Sequence, residues 1–76
     1  MDELQKLRLG DKITVHIVPG RDGKPIGRLS DGCIILFNQE NQYFHMLAPG
    51  QSVECHVTVI SEKYVIVDPV REPEGA

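Results

Sequence analysis

The stretch Lys12-Ile13-Thr14-Val15-His16-Ile17-Val18 decides the fold class. Successive side chains of an extended chain point to opposite faces, so Ile13, Val15 and Ile17 share one face and Thr14, His16 and Val18 the other. That alternation of β-branched residues describes a half-buried strand. Gly10-Asp11 punctuates the chain before it. Pro19-Gly20 ends it, because proline has no N–H for a ladder and glycine permits a tight reversal.

The same grammar continues toward the C-terminus. Arg21 to Lys24 form a polar loop around Asp22-Gly23, a dipeptide suited to a hairpin. A second strand is expected from Ile26 to Leu29, with Gly27 marking a bulge or barrel corner. After the Ser30-Asp31-Gly32 turn, Cys33 to Phe37 are apolar at every position, the pattern of a strand covered on both faces. Asn38 to Gln42 break the pattern, and Tyr43 to Leu47 are an apolar insert without a clear period. Ala48-Pro49-Gly50 turns the chain into Ser52–Ile60, where Val53, Cys55, Val57 and Val59 are expected inward and Glu54, His56 and Thr58 outward. Ser61-Glu62-Lys63 leads to a last strand, Tyr64 to Val67, closed by Asp68-Pro69. Residues 1–9 read as a polar arm in which Leu4 and Leu7 permit a short helical turn, and residues 71–76 as a flexible tail. Five short strands punctuated by turns predict an all-β fold, a small five-stranded β-barrel over residues 10–70 with a short N-terminal arm. Closure of the sheet removes edges that would otherwise template aggregation.

Composition narrows the function classes. With 76 residues there is room for one domain, and 41% hydrophobic with 25% charged residues suits a folded chain. The net charge of −3 argues against a uniformly basic nucleic-acid surface, although a local basic edge can still hold phosphate. No apolar run approaches the roughly 20 residues of a membrane-spanning helix. Met1-Asp2-Glu3-Leu4 lacks the cationic start of a secretory leader, and the expected location is cytoplasmic. Cys33 and Cys55 lie in apolar runs and read as core residues. His16, His45 and His56 raise the question of a metal, but Cys55 and His56 are neighbours in a strand and point to opposite faces. There is no Ser-His-Asp order and no glycine-rich loop with lysine, so the chain reads as a binding domain, not an enzyme, and as needing no cofactor.

One set of motifs resembles a known family. Gly10-Asp11, then Gly20-Arg21-Asp22-Gly23-Lys24-Pro25-Ile26-Gly27-Arg28, Asp31-Gly32-Cys33-Ile34-Ile35 and Pro49-Gly50-Gln51-Ser52-Val53 succeed one another as in a TRAM domain. The resemblance covers about residues 10–68. It implies an oligonucleotide-binding-like (OB-fold) barrel and RNA binding, for tRNA, rRNA or single-stranded RNA. The chain departs from the family in its longer, more aromatic segment from Asn38 to Leu47, its negative net charge and its few aromatic residues.

Candidate contact residues follow from charge and ring chemistry. Arg21, Lys24 and Arg28 cluster within a short stretch and can meet phosphates from one rim. Lys63 and Tyr64 stand at a turn beside a strand. Tyr43 and Tyr64 offer faces on which bases stack, whereas Phe37 and Phe44 read as core. The expected function is RNA binding with little sequence choice. The alternative is an accessory protein-interaction domain that docks on a nuclease or RNA-modifying enzyme through the apolar region from Ile34 to Leu47.

Overall fold

A computed structural model describes residues 7–28 and 32–75 of the chain. Seven strands follow in order: β1 (Lys12–His16), β2 (Val18–Pro19), β3 (Pro25–Arg28), β4 (Ile34–Phe37), β5 (Gln51–Ile60), β6 (Tyr64–Pro69) and β7 (Glu74–Gly75). A single 3-10 turn, Phe44–Met46, lies between β4 and β5. The helical turn expected at Leu4 and Leu7 and the turn at Ser30-Asp31 fall wholly or partly outside the described residues. Leu7 itself packs against the core. Among the described residues no helix is long and apolar enough to cross a membrane.

All seven strands belong to one all-β sheet that curls into a half-barrel, with the order β1-β5-β6-β4-β3-β2 and β7 paired to β5. The path starts on β1 and ends on β2, which are one stretch of chain interrupted only at Ile17. The pair β4–β6 is parallel and every other pair is antiparallel. The alternation in Lys12–Val18 and Ser52–Ile60 becomes a ladder in which Val15 faces Val53 and Ile13 faces Cys55. The core collects one side of β1, β4, β5 and β6, with Ile17 between β1 and β2: Val15, Ile17, Ile35, Phe37, Val53, Cys55, Val57, Val65 and Val67.

Two glycines set the approach of the chain to itself. Gly27 is buried in β3, where an added Cβ would overlap the Val15 side chain and press on Ile35. The corner expected there is thus a point of closest approach between β3 and β1. In the β2–β3 loop, Gly23 has φ +88°, a conformation favourable only to glycine. That loop is tied by Gly20 N–H donating to the Lys24 carbonyl at 2.8 Å.

Four expectations are revised. The apolar run of β4 is covered on one face only: Ile35 and Phe37 are buried, while Ile34 and Leu36 are 38% and 36% exposed. Val59 does not join Val53, Cys55 and Val57 inside. The register of β5 against β6 shifts between Val57 and Val59, and Val59 emerges 41% exposed. An extra residue in one strand turns the following side chain to the other face. The chain from Arg71 does not simply trail away, because Glu74 and Gly75 pair with Ser52 and Gln51 of β5. The count of five strands becomes seven, since the first is divided at Ile17 and β7 is added.

Candidate functional site

The outward face of β3, β4 and β6 carries two lateral rows of side chains. In the first, Arg28 pairs with Ile34 and Ile34 with Tyr64. The Ile34 N–H reaches the Lys63 carbonyl at 3.4 Å, so the backbone of the exposed Lys63 lies at the end of this row. In the second, Ile26 pairs with Leu36 and Leu36 with Ile66. Beyond Ile66, across the β5 bulge, lies Val59. The face is mainly aliphatic, with one aromatic ring and one guanidinium.

A depression of about 460 Å³ opens over the second row. Ile26, Leu36 and Ile66 line it together with Phe44, which packs on the edge of the core. Asp22 and Lys24 of the β2–β3 loop form one rim, and Asn38 and Gln39, where the chain leaves β4, form the other. The local turns hold these rims. Asn38 N–H donates to the Val67 carbonyl at 3.0 Å, and its Oδ1 accepts the Glu40 N–H at 3.0 Å.

The expected contact residues are therefore partly gathered. Arg28 and Tyr64 share the first row, with the Lys63 backbone at its end, and Lys24 borders the adjacent depression; Arg21 and Lys24 are exposed on the same loop. Tyr43 is placed elsewhere. It lines a second depression with Arg71, Glu72, Pro73 and Glu74, and its backbone N–H donates to Asn41 Oδ1 at 2.8 Å. Asn41 in turn donates to the Pro69 carbonyl at 3.1 Å, which moors this loop to the far end of β6 from Tyr64. Ile26 and Ile66 carry no role in the sequence reading, and Leu36, Asn38 and Gln39 enter it only within the alternative docking region from Ile34 to Leu47. Only the strand register brings them together, although the polar break after Phe37 marked where the rim begins.

The charges separate by region. Among the described residues the two ion pairs both use Glu54, with Arg71 at 3.1 Å and Lys12 at 4.0 Å. Glu54, Glu72 and Glu74 border a third depression with Thr14 and Ser52. Arg21, Lys24, Arg28 and Lys63 enter no ion pair with a described residue. His16 Nδ1 and Ser52 Oγ lie 2.7 Å apart on the β1–β5 surface. Cys55 is sealed in the core, where burial, and then the carboxylates of Asp68 and Glu54, push its thiol up to about 12. A thiol held in that form is a poor nucleophile and a poor metal ligand. No group of three or more His, Cys, Asp or Glu suited to a metal ion occurs among the described residues.

No protein-family model, no curated protein and no solved structure matches the chain.

Proposed function

We propose that this chain is an RNA-binding domain on an oligonucleotide-binding-type barrel, of the kind the TRAM resemblance implies. The connectivity supports the barrel. Counting β1 and β2 as one bent strand leaves five main strands, whose path returns to its own start and includes the single parallel pair β4–β6. In such barrels the second and third strands and the loops after the first and fourth strands bind oligonucleotides. Here those are β3, β4, the loop from 20 to 24 and the loop from 61 to 63.

The observation that carries the reading is the row Arg28–Ile34–Tyr64 with Lys63 at its end. It sets a cation and an aromatic ring, from separate parts of the chain, on one exposed face, and brings the exposed Lys63 to the loop that adjoins it. Phosphates take charge-assisted hydrogen bonds from the cations, and a base stacks on the ring. The negative net charge does not oppose this, because the acids that outnumber the bases include Glu54, Glu72 and Glu74 around a different depression. With few side chains able to read base edges in this row, binding has little sequence choice.

The test is charge reversal. Lys24→Glu combined with Arg28→Glu is expected to weaken binding of a labelled single-stranded RNA by well over tenfold in low salt, measured by fluorescence anisotropy. Unchanged affinity would remove this face from consideration. The exposed Ile34 and Leu36 favour one other reading, a protein-docking face, for which RNA would not bind even in low salt.

A further inference from the structure

We infer that the depression over Ile26, Leu36 and Ile66 holds one unstacked nucleobase, which makes single-stranded RNA, not duplex, the ligand of this domain. The inference rests on the RNA-binding reading and names the form of RNA that the same face takes.

The spacing of the two rows is the first ground. Arg28 and Ile26, Ile34 and Leu36, Tyr64 and Ile66 are each two residues apart along their strands. At about 3.3 Å per residue the rows stand about 7 Å apart. Stacked nucleotides rise only about 3.4 Å along a strand. A chain that stacks one base on Tyr64 and lays the next on the Leu36 row must part its bases, and a duplex does not allow that. Recognition of splayed bases is the usual route to RNA selectivity, because side chains cannot read the deep, narrow major groove of an A-form helix.

The make-up of the depression is the second ground. Its volume, about 460 Å³, lies within the roughly 300–1,000 Å³ of small-molecule sites and suits one nucleotide. Its floor is an aliphatic row, and Phe44 supplies an aromatic flank, which together suit the apolar face of a base. Lys24 on the rim is the partner for that nucleotide's phosphate. Asn38 uses its Oδ1 on the Glu40 N–H, and its amide nitrogen has no hydrogen-bond partner among the described residues. Asn38 and Gln39 thus offer carboxamides on the rim where a base edge would lie. Asp22 shares the rim with Lys24, where its Oδ1 accepts the Lys24 backbone N–H at 3.4 Å.

Two neutral variants test this without altering the charge of the face. Leu36→Thr places a β-branched residue, well suited to a strand, at this exposed position and shortens the floor. Asn38→Ser keeps an oxygen for the Glu40 N–H and removes the amide donor. Anisotropy is measured for a short single-stranded RNA, for the same sequence closed in a hairpin stem, and for oligo-A, oligo-C and oligo-U. The expected result is a single strand bound at least tenfold more tightly than the stem. Leu36→Thr should cost about tenfold on the single strand and little on the stem. Asn38→Ser should narrow the differences among the three homopolymers. Equal binding of strand and stem, unaffected by Leu36→Thr, would overturn the base site and leave RNA binding standing. Binding of neither RNA would overturn both.

Discussion

Cys55 occupies the centre of β5 with 0% exposure, between Ile13 on one neighbouring strand and Pro69 on the other. Its period-2 place among Val53 and Val57 was plain in the sequence, and burial then dictates its chemistry. The folded domain favours the thiol over the thiolate, so folding raises the titration point from 9.0 to about 12. Below pH 9 both folded and unfolded chains hold the proton, and the contribution is fully present. As pH rises from 9 toward 12, the unfolded chain releases its proton first and stability falls. The urea midpoint of the native chain is therefore expected to drop across this window. Cys55→Ala should begin from a lower midpoint, since it opens a cavity, but lose less over the same interval. Parallel losses in the two proteins would assign the alkaline slope to another group.

At the scale of elements, β5 departs most clearly from simple alternation. Val53, Cys55, Val57 and Val59 have the same spacing in sequence, yet the shift against β6 buries Val57 to 1% exposure and leaves Val59 at 41%. Thr58 Oγ1 donates to the Ile66 carbonyl at 3.0 Å beside that shift. Val57→Ala is expected to cost about 2 kcal/mol of unfolding free energy, and Val59→Ala less than about 0.5 kcal/mol. Equal costs in chemical denaturation would mean that β5 keeps regular pairing to its end. The β4 strand shows a related limit of legibility. An all-apolar run is compatible with cover on both faces, and which face lacks cover depends on what other parts of the chain supply. Residues 38–50, which include the 3-10 turn, border this face at Asn38, Gln39 and Phe44 but leave Ile34 and Leu36 exposed.

For the whole molecule, charge is a matter of place. Eleven acids against eight bases give −3, but Glu54 is occupied by Arg71 and Lys12, and Arg21, Lys24, Arg28 and Lys63 border the proposed RNA face. Exposed ion pairs such as those of Glu54 contribute at most about 1 kcal/mol, so their role is chiefly to remove acid from the field. If all four cations meet phosphates, the logarithm of the binding constant should fall against the logarithm of salt with a slope near −2.8, at about −0.7 per contact on a single strand. Titration at several salt concentrations measures it. A slope near zero would point to an apolar docking face.

The sequence by itself determined the all-β class, most of the turns and the buried faces of the first strand and of Val53 to Val57, because side-chain alternation and the conformational limits of glycine and proline act within a few residues. It also marked Arg28, Lys63 and Tyr64, since charge and ring chemistry belong to a residue wherever it lies. The tertiary structure alone decided that Arg28, Ile34 and Tyr64 form one row, that Ile26, Leu36 and Ile66 form the next, that Tyr43 stands apart among acids, and that Glu74–Gly75 return to β5. Each of these is a matter of register between strands distant in the chain. Register is set by which faces the assembled core accepts, and a one-residue slip sends every following side chain to the opposite face.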